Sequence, residues 1–241
     1  MNGCKILVVD DEPEMTELIS LYLQREGYHV HTADNGSDAL AMASAVRPDL
    51  ILLDILLKGI DGIEVCQQLR RYSDVPILFL SCKSDDTDII HGLSVGGDDY
   101  ITKPFSPSQL VARVKAHLRR SARLSGMQPD EEETIRFDGL VIDLAGRTVE
   151  VNGKPVALSA KEFDLLAFLA KTPNRVFELD LLYQEVWGTD SMGDTRTLMV
   201  HISNLRKKIE NNPANPKWIV NVRGVGYKFN AKEGIASHVH R

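Results

Sequence analysis

Cysteine is scarce. Cys4, Cys66 and Cys82 are three in 241 residues, an odd number without paired spacing. That argues against a disulfide framework or a zinc site. The three are expected to be small buried or half-buried residues. Long apolar runs are also missing, and none approaches the roughly 20 residues that span a bilayer. The start, Met1-Asn2-Gly3-Cys4-Lys5, leads straight into a strand-like run, without the tripartite layout of a secretory signal. The expectation is a cytoplasmic protein with no membrane contact. Internal repeats are absent too, which excludes a solenoid or array.

What is present is ordinary globular composition, with 43% apolar and 26% charged residues. The length allows one or two domains, either half being long enough to bury its own core. The net charge of −6 hides an asymmetry. Residues 1–120 hold 12 Lys and Arg against 18 Asp and Glu, whereas residues 135–241 hold 15 against 12. An acidic front and a mildly basic back point to different partners for the two halves.

The front alternates strand and helix. Lys5-Ile6-Leu7-Val8-Val9 is almost wholly apolar, as expected of a strand buried on both faces. Pro13 opens a helix that ends at Gly27. His29 to Ala33, the run up to Asp54, Val75 to Leu80 and Asp99 to Thr102 read as further strands. Ser37 to Ala45, Asp61 to about Arg71, Asp86 to Val95 and Ser106 to about Arg120 read as helices. Such βα alternation predicts an α/β, doubly wound, five-stranded parallel sheet with helices on both faces.

Three carboxylates fall at strand ends on one edge of that sheet: Asp10, Asp11 and Asp54. Clustered carboxylates repel, and a divalent cation relieves them; Mg²⁺ suits an all-oxygen site with open positions for phosphate. Ser81 ends the fourth strand with a hydroxyl, and Lys103 ends the fifth with a positive charge. This set suits in-line phosphoryl transfer onto Asp54.

The stretches Val8-Val9-Asp10-Asp11-Glu12, Leu53-Asp54, Leu80-Ser81 and Asp98-Asp99-Tyr100-Ile101-Thr102-Lys103-Pro104-Phe105 resemble the receiver domain of response regulators, over about residues 4–120. The resemblance implies a flavodoxin-like fold and phosphorylation of Asp54 by a partner histidine kinase. It implies Mg²⁺ held by Asp11, Asp54 and the backbone carbonyl of Leu56, with Asp10 acting mainly through water. Lys103 would pair with the phosphate, Ser81 and Tyr100 would form the switch pair, and the Lys103–Pro104 bond would be cis. Two positions depart from the family: Lys58 stands where Pro is usual four residues after the acceptor, and Cys82 where a smaller residue is usual.

Residues 121–134 break the pattern. Gly126, Pro129 and Asp130-Glu131-Glu132-Glu133 read as a flexible, self-repelling linker. Beyond it, Ile135 to Phe137, Leu140 to Leu144, Thr148 to Val151 and Pro155 to Ala157 read as short strands, with Asn152-Gly153 as a hairpin turn. Helices follow from the capping box Ser159-Ala160-Lys161-Glu162 to Lys171, from Leu179 to Val186 and from Thr195 to Glu210. A hairpin from Trp218 to Phe229 closes the domain at about residue 230. Residues 231–241 read as a disordered tail.

On the third of these helices Leu198, Ile202, Leu205 and Ile209 fall on one face at about 100° per residue. Arg196, Val200, Ser203, Asn204 and Lys207 fall opposite, flanked by His201, Arg206 and Lys208. An amide, a methyl-bearing side chain and cations suit a DNA major groove. Arg223, at the turn of the hairpin, suits the adjacent minor groove.

The stretches Leu158-Ser159-Ala160-Lys161-Glu162-Phe163-Asp164-Leu165-Leu166, Val200-His201-Ile202-Ser203-Asn204-Leu205-Arg206-Lys207-Lys208 and Val222-Arg223-Gly224-Val225-Gly226-Tyr227 resemble the α+β winged-helix effector domain of OmpR/PhoB-type regulators. That implies a transcription regulator binding direct-repeat promoter DNA as a dimer, with RNA polymerase as a further candidate partner. Met199 and Asn204 replace residues that are often Asp and Arg in the family. The family's dimer face would use Asp98, Asp99, Arg113, Lys115 and Arg120 for ion pairs, and Ile89 and Gln109 replace a pair usually of opposite charge. Enzymatic turnover is not expected beyond self-phosphotransfer and slow dephosphorylation at Asp54. The rival readings are a DNA-binding protein with a degenerate, phosphate-independent receiver, and a phosphatase using Asp54 as nucleophile. Leu56 stands where such phosphatases carry a second Asp.

Overall fold

A computed structural model describes residues 3–82, 86–126, 134–188 and 195–231; for 86–89 and 119–126 it describes the backbone alone. The chain divides into two compact units, with the change between Ala122 and Arg123.

The first unit contains β1 (Lys5–Val9), β2 (His29–Ala33), β3 (Leu50–Asp54), β4 (Ile77–Ser81) and β5 (Asp99–Thr102), all parallel, in the order β2-β1-β3-β4-β5. Helices α1 (Pro13–Arg25), α2 (Gly36–Val46), α3 (Gly62–Leu69), α4 (Asp86–Ser94) and α5 (Pro107–Gly126) connect and follow the strands. Every residue of β3 and β4 is buried, as required of strands covered on both faces. Strand alternation divides the core. Ile6, Val8, Leu50, Leu52, Leu78, Leu80 and Ile101 pack with Ile19 and Leu23 of α1 and Leu110, Val114 and Leu118 of α5. Leu7, Val9, Ile51, Leu53, Ile77 and Phe79 are buried on the opposite face.

Two helix starts follow from their caps. Asn35 accepts from the Asp38 N–H at 2.9 Å, and Asp61 from the Glu64 N–H at 2.8 Å. The α5 helix runs to Gly126, into the stretch expected as linker. The segment Ala122-Arg123-Leu124 is made of strong helix formers, so the helix outlasts the reading based on Gly126 and the acidic run. The acidic run itself lies outside the described residues.

The second unit opens with an antiparallel sheet of β6 (Thr134–Phe137), β7 (Leu140–Asp143), β8 (Thr148–Val151) and β9 (Lys154–Pro155). Three helices follow: α6 (Ala160–Lys171), α7 (Leu179–Trp187) and α8 (Thr195–Ile209). The capping box at Ser159 and Glu162 starts α6, both reciprocal bonds being present. The closing hairpin, β11 (Ile219–Val222) and β12 (Gly226–Phe229), gains a third strand, β10 (Phe177–Glu178). Two residues are too few to show an alternation, so β10 escapes a reading of the sequence. The core joins all three helices to both sheets through Leu140, Ile142, Leu166, Leu169, Trp187, Leu198, Ile202, Leu205, Trp218 and Phe229.

Candidate functional site

Parallel strands deliver their ends to one edge, and there the acidic residues meet. Asp10 follows β1, Asp54 ends β3 and Lys103 follows β5. The Lys103 Nζ bridges Asp54 Oδ2 at 2.6 Å and Asp10 Oδ2 at 2.7 Å, with Glu12 Oε1 at 3.5 Å. The Lys103 and Asp54 side chains are 5% and 6% exposed and that of Asp10 is fully buried. Burial pushes the Asp54 carboxyl above the usual carboxylate range, against the pull of Lys103 and the Leu56 N–H; Asp10 adds to the rise. Burial alone would lower Lys103, but its bonds to Asp10 and Asp54 hold it above the usual lysine range. The ammonium therefore stays charged, and the two buried carboxylates share it.

Carboxylate oxygens of Asp10, Glu12 and Asp54 lie within 4.8 Å of one another. Three hard oxygen donors facing one ammonium leave negative charge in excess, and this donor set fits a divalent cation such as Mg²⁺. Asp11, expected as a direct ligand, instead faces Lys58 at 3.3 Å. Glu12 was not expected, although it directly follows Asp10 and Asp11. Ser81 and Tyr100 are buried. The Lys103 N–H donates to the Ser81 carbonyl at 2.7 Å, so the segments after β4 and β5 are tied together. The Leu56 N–H donates to Asp54 Oδ1 at 2.9 Å. The Lys103–Pro104 bond is cis.

The front of the chain, residues 6–115, matches the response regulator receiver domain, and residues 153–229 match the C-terminal domain of transcriptional regulatory proteins. The chain belongs to the OmpR/PhoB family of response regulators. The regulator is 43% identical over 224 residues to the DNA-binding response regulator MtrA of Mycolicibacterium smegmatis, covering 93% of this chain and 96% of MtrA. It is 44% identical over 231 residues to the transcriptional regulatory protein ResD of Bacillus subtilis, covering 95% and 96%. Among solved structures it is similar to a mutant of RitR, with TM-score 0.74 and 29% identity over 95% of this chain and 100% of that one. It is also similar to DrrB, a Thermotoga maritima OmpR/PhoB homolog, with TM-score 0.51 and 34% identity over 96% and 100%. It is therefore a two-component response regulator that binds DNA and regulates transcription. Such regulators pair with histidine kinases, and receiver domains generally bind Mg²⁺ in the acidic pocket. They are not classical enzymes. Among the described residues, no helix is long and apolar enough to cross a membrane.

In the regulator's second unit the expected recognition face needs correction. On α8, Met199, Ser203 and Lys207 are exposed, and Arg196 is half-buried. Val200, His201 and Asn204, expected outward or flanking, are buried. The covered arc runs beyond the apolar stripe, through His201 and Thr197 to Asn204. His201 packs on the Trp187 ring, with centroids 5.2 Å apart. Arg206 turns inward as well. Its Nε and Nη2 donate to the Ile219 carbonyl at 2.9 and 2.7 Å, tying α8 to the wing. Arg223 stands exposed at the wing turn. A helical wheel counts apolar residues as core, whereas His201 is covered against a ring and Arg206 is drawn in by a carbonyl.

Most of the charged groups expected at the dimer face are engaged within one chain. Asp98 accepts from Arg70 at 2.7 Å and from the Ile77 N–H at 2.9 Å. Asp99 accepts from Arg113 at 2.7 Å. Burial alone would raise Asp99, but Arg113 and His117 hold it well below the usual carboxylate range. Lys115 pairs with Glu26 at 2.6 Å. Gln109 is half-buried, its backbone N–H donating to Ser106 Oγ at 3.2 Å. The side chains of Ile89 and Arg120 lie outside the described residues.

Proposed function

We propose that Asp54 is the phospho-acceptor and that its phosphorylation gates promoter binding. One observation carries the reading: Lys103 is bonded at once to Asp54 and Asp10, both almost fully buried. The Asp54 carboxylate oxygen attacks the phosphorus of a kinase phosphohistidine, and the phosphorus–nitrogen bond breaks as the acyl phosphate forms. Lys103 is in place to neutralise the arriving oxygens, and Ser81 offers them its hydroxyl. Asp54, Asp10 and Asp11, the Leu56 carbonyl and, by its position, Glu12 would hold Mg²⁺, which when bound supplies further charge neutralisation for the phosphoryl group.

The phosphoryl group brings about −1.5 to −2 charge and three acceptor oxygens. Lys103 then exchanges Asp10 for phosphate, and the bond from its N–H to the Ser81 carbonyl couples that movement to the end of β4. Tyr100 repacks with Ser81, and the α4–β5–α5 face becomes a dimer surface, less electrostatic and more apolar in character at the positions of Ile89 and Gln109. Because Asp98, Asp99 and Arg113 are already paired in the chain, any intermolecular pairing there is an exchange.

The dimer reads direct-repeat DNA in the cytoplasm, with RNA polymerase as a further partner. Arg196, Ser203 and Lys207 of α8 and Arg223 of the wing make the contacts. The working division is a receiver at 1–120, a linker at 121–134, an effector at 135–230 and a tail at 231–241. Intact-mass measurement after treatment with acetyl phosphate and Mg²⁺ tests the acceptor. The wild type is expected to gain one phosphoryl group and Asp54→Asn none. Equal labelling of both, or of neither, would favour the phosphate-independent reading.

A further inference from the structure

We propose that Lys58 is a positioning residue that competes with the divalent cation for Asp11, so that their ion pair sets how readily the acidic site takes up Mg²⁺. This rests on the reading of that site as a Mg²⁺ site. Lys58 lies on the loop between β3 and α3, four residues beyond Asp54. Its Nζ is 3.3 Å from Asp11 Oδ2. The neighbours on either side of Asp11, Asp10 and Glu12, both contribute oxygens to the cluster around Asp54, and Asp11 does not.

Physical chemistry makes the pair a competitor. Mg²⁺ demands close, near-octahedral oxygen ligands and dehydrates reluctantly. A carboxylate engaged by an ammonium must first be released to serve it, and the ammonium also repels a dication nearby. The pair hinders the cation without blocking it. The Lys58 side chain is 80% exposed and that of Asp11 21%, so the pair is solvated and weak. Release needs no rearrangement of packed groups, because the Lys58 side chain already lies largely in solvent.

Calorimetric titration of the full chain with Mg²⁺ tests this in wild type, Lys58→Met, Lys58→Arg, Asp11→Asn and the Lys58→Met/Asp11→Asn pair. Lys58→Met is expected to bind Mg²⁺ about two- to fivefold more tightly, and Lys58→Arg to match wild type. In the Asp11→Asn background the gain is expected to vanish. Equal affinity of wild type and Lys58→Met overturns the inference and leaves the Mg²⁺ site standing. An undiminished gain in the Asp11→Asn background assigns the effect to the general field of Lys58, and overturns the pair. No saturable binding in the wild type overturns the Mg²⁺ reading, and the inference with it.

Discussion

Lys103 and Asp54 meet at 2.6 Å across the edge of the receiver sheet, and Asp54 nonetheless holds its proton more tightly than a free aspartate. Burial and the neighbouring Asp10 outweigh the shared ammonium. Well below the ordinary aspartate value of about 3.9 the carboxyl is neutral in both folded and unfolded chains. As pH rises through that value the unfolded chain ionises first, and above the raised folded value ionised Asp54 is a net cost to the fold. Asp54→Asn is therefore expected to raise the receiver's Tm at pH 7 by on the order of a few degrees, the advantage shrinking as the pH falls from the raised folded value towards about 3.9 and vanishing below it. Thermal unfolding across pH 3.5–8 reads this out. A lower Tm at pH 7 would mean that the Lys103 pair outweighs burial.

Gly62 fixes the loop that follows Asp54. Its N–H donates to the Ile55 carbonyl at 3.0 Å, and a methyl group there would collide with the Asp54 carbonyl oxygen. Gly62→Ala is expected to cost the receiver about 1–3 kcal/mol in urea unfolding, because β3 and α3 must part to admit it. A neutral substitution would show that the loop yields.

Glu210 ties the end of α8 to the wing. Its carboxylate accepts from the N–H groups of Lys217, Trp218 and Ile219 at 2.7, 2.8 and 2.9 Å, and the residue is 7% exposed. Glu210→Ala leaves these donors without their acceptor and is expected to destabilise the effector by about 2–4 kcal/mol. Trp187 and Trp218 are the only tryptophans in the chain, and both lie in the effector, so tryptophan fluorescence follows that unit selectively. An unchanged unfolding midpoint would remove Glu210 from this role.

Arg206 and Lys207 are adjacent cations with opposite assignments. Lys207→Ala is expected to weaken DNA binding across sequences and to reduce the salt slope by about 1. Arg206→Met loses two bonds to the Ile219 carbonyl, so its effector should unfold more readily. Comparing salt-dependent DNA binding with thermal unfolding for both variants separates the roles. If Arg206→Met reduced the salt slope without lowering stability, the assignment would be reversed.

Much of this was legible in the sequence for physical reasons. A strand buried on both faces must be apolar, so β1, β3 and β4 announce themselves, and parallel order brings Asp10, Asp54 and Lys103 to one edge. The partners of polar residues were less legible. Nothing local in the sequence says that Arg206 turns to Ile219, that Arg70 reaches Asp98, or that Lys58 engages Asp11. Those pairings depend on loop paths and packing angles that periodicity does not encode. The same holds for His201 and Asn204, whose burial a wheel based on hydrophobicity alone places wrongly.

The central claim is that phosphate at Asp54 gates the effector. Binding to promoter DNA from upstream of the regulator's own gene, measured with and without acetyl phosphate and Mg²⁺, tests it for wild type and Asp54→Ala. The account predicts that the donor tightens binding by the wild type and leaves Asp54→Ala unchanged. Equal binding by both proteins, unaltered by the donor, would contradict it and make the receiver something other than the gate.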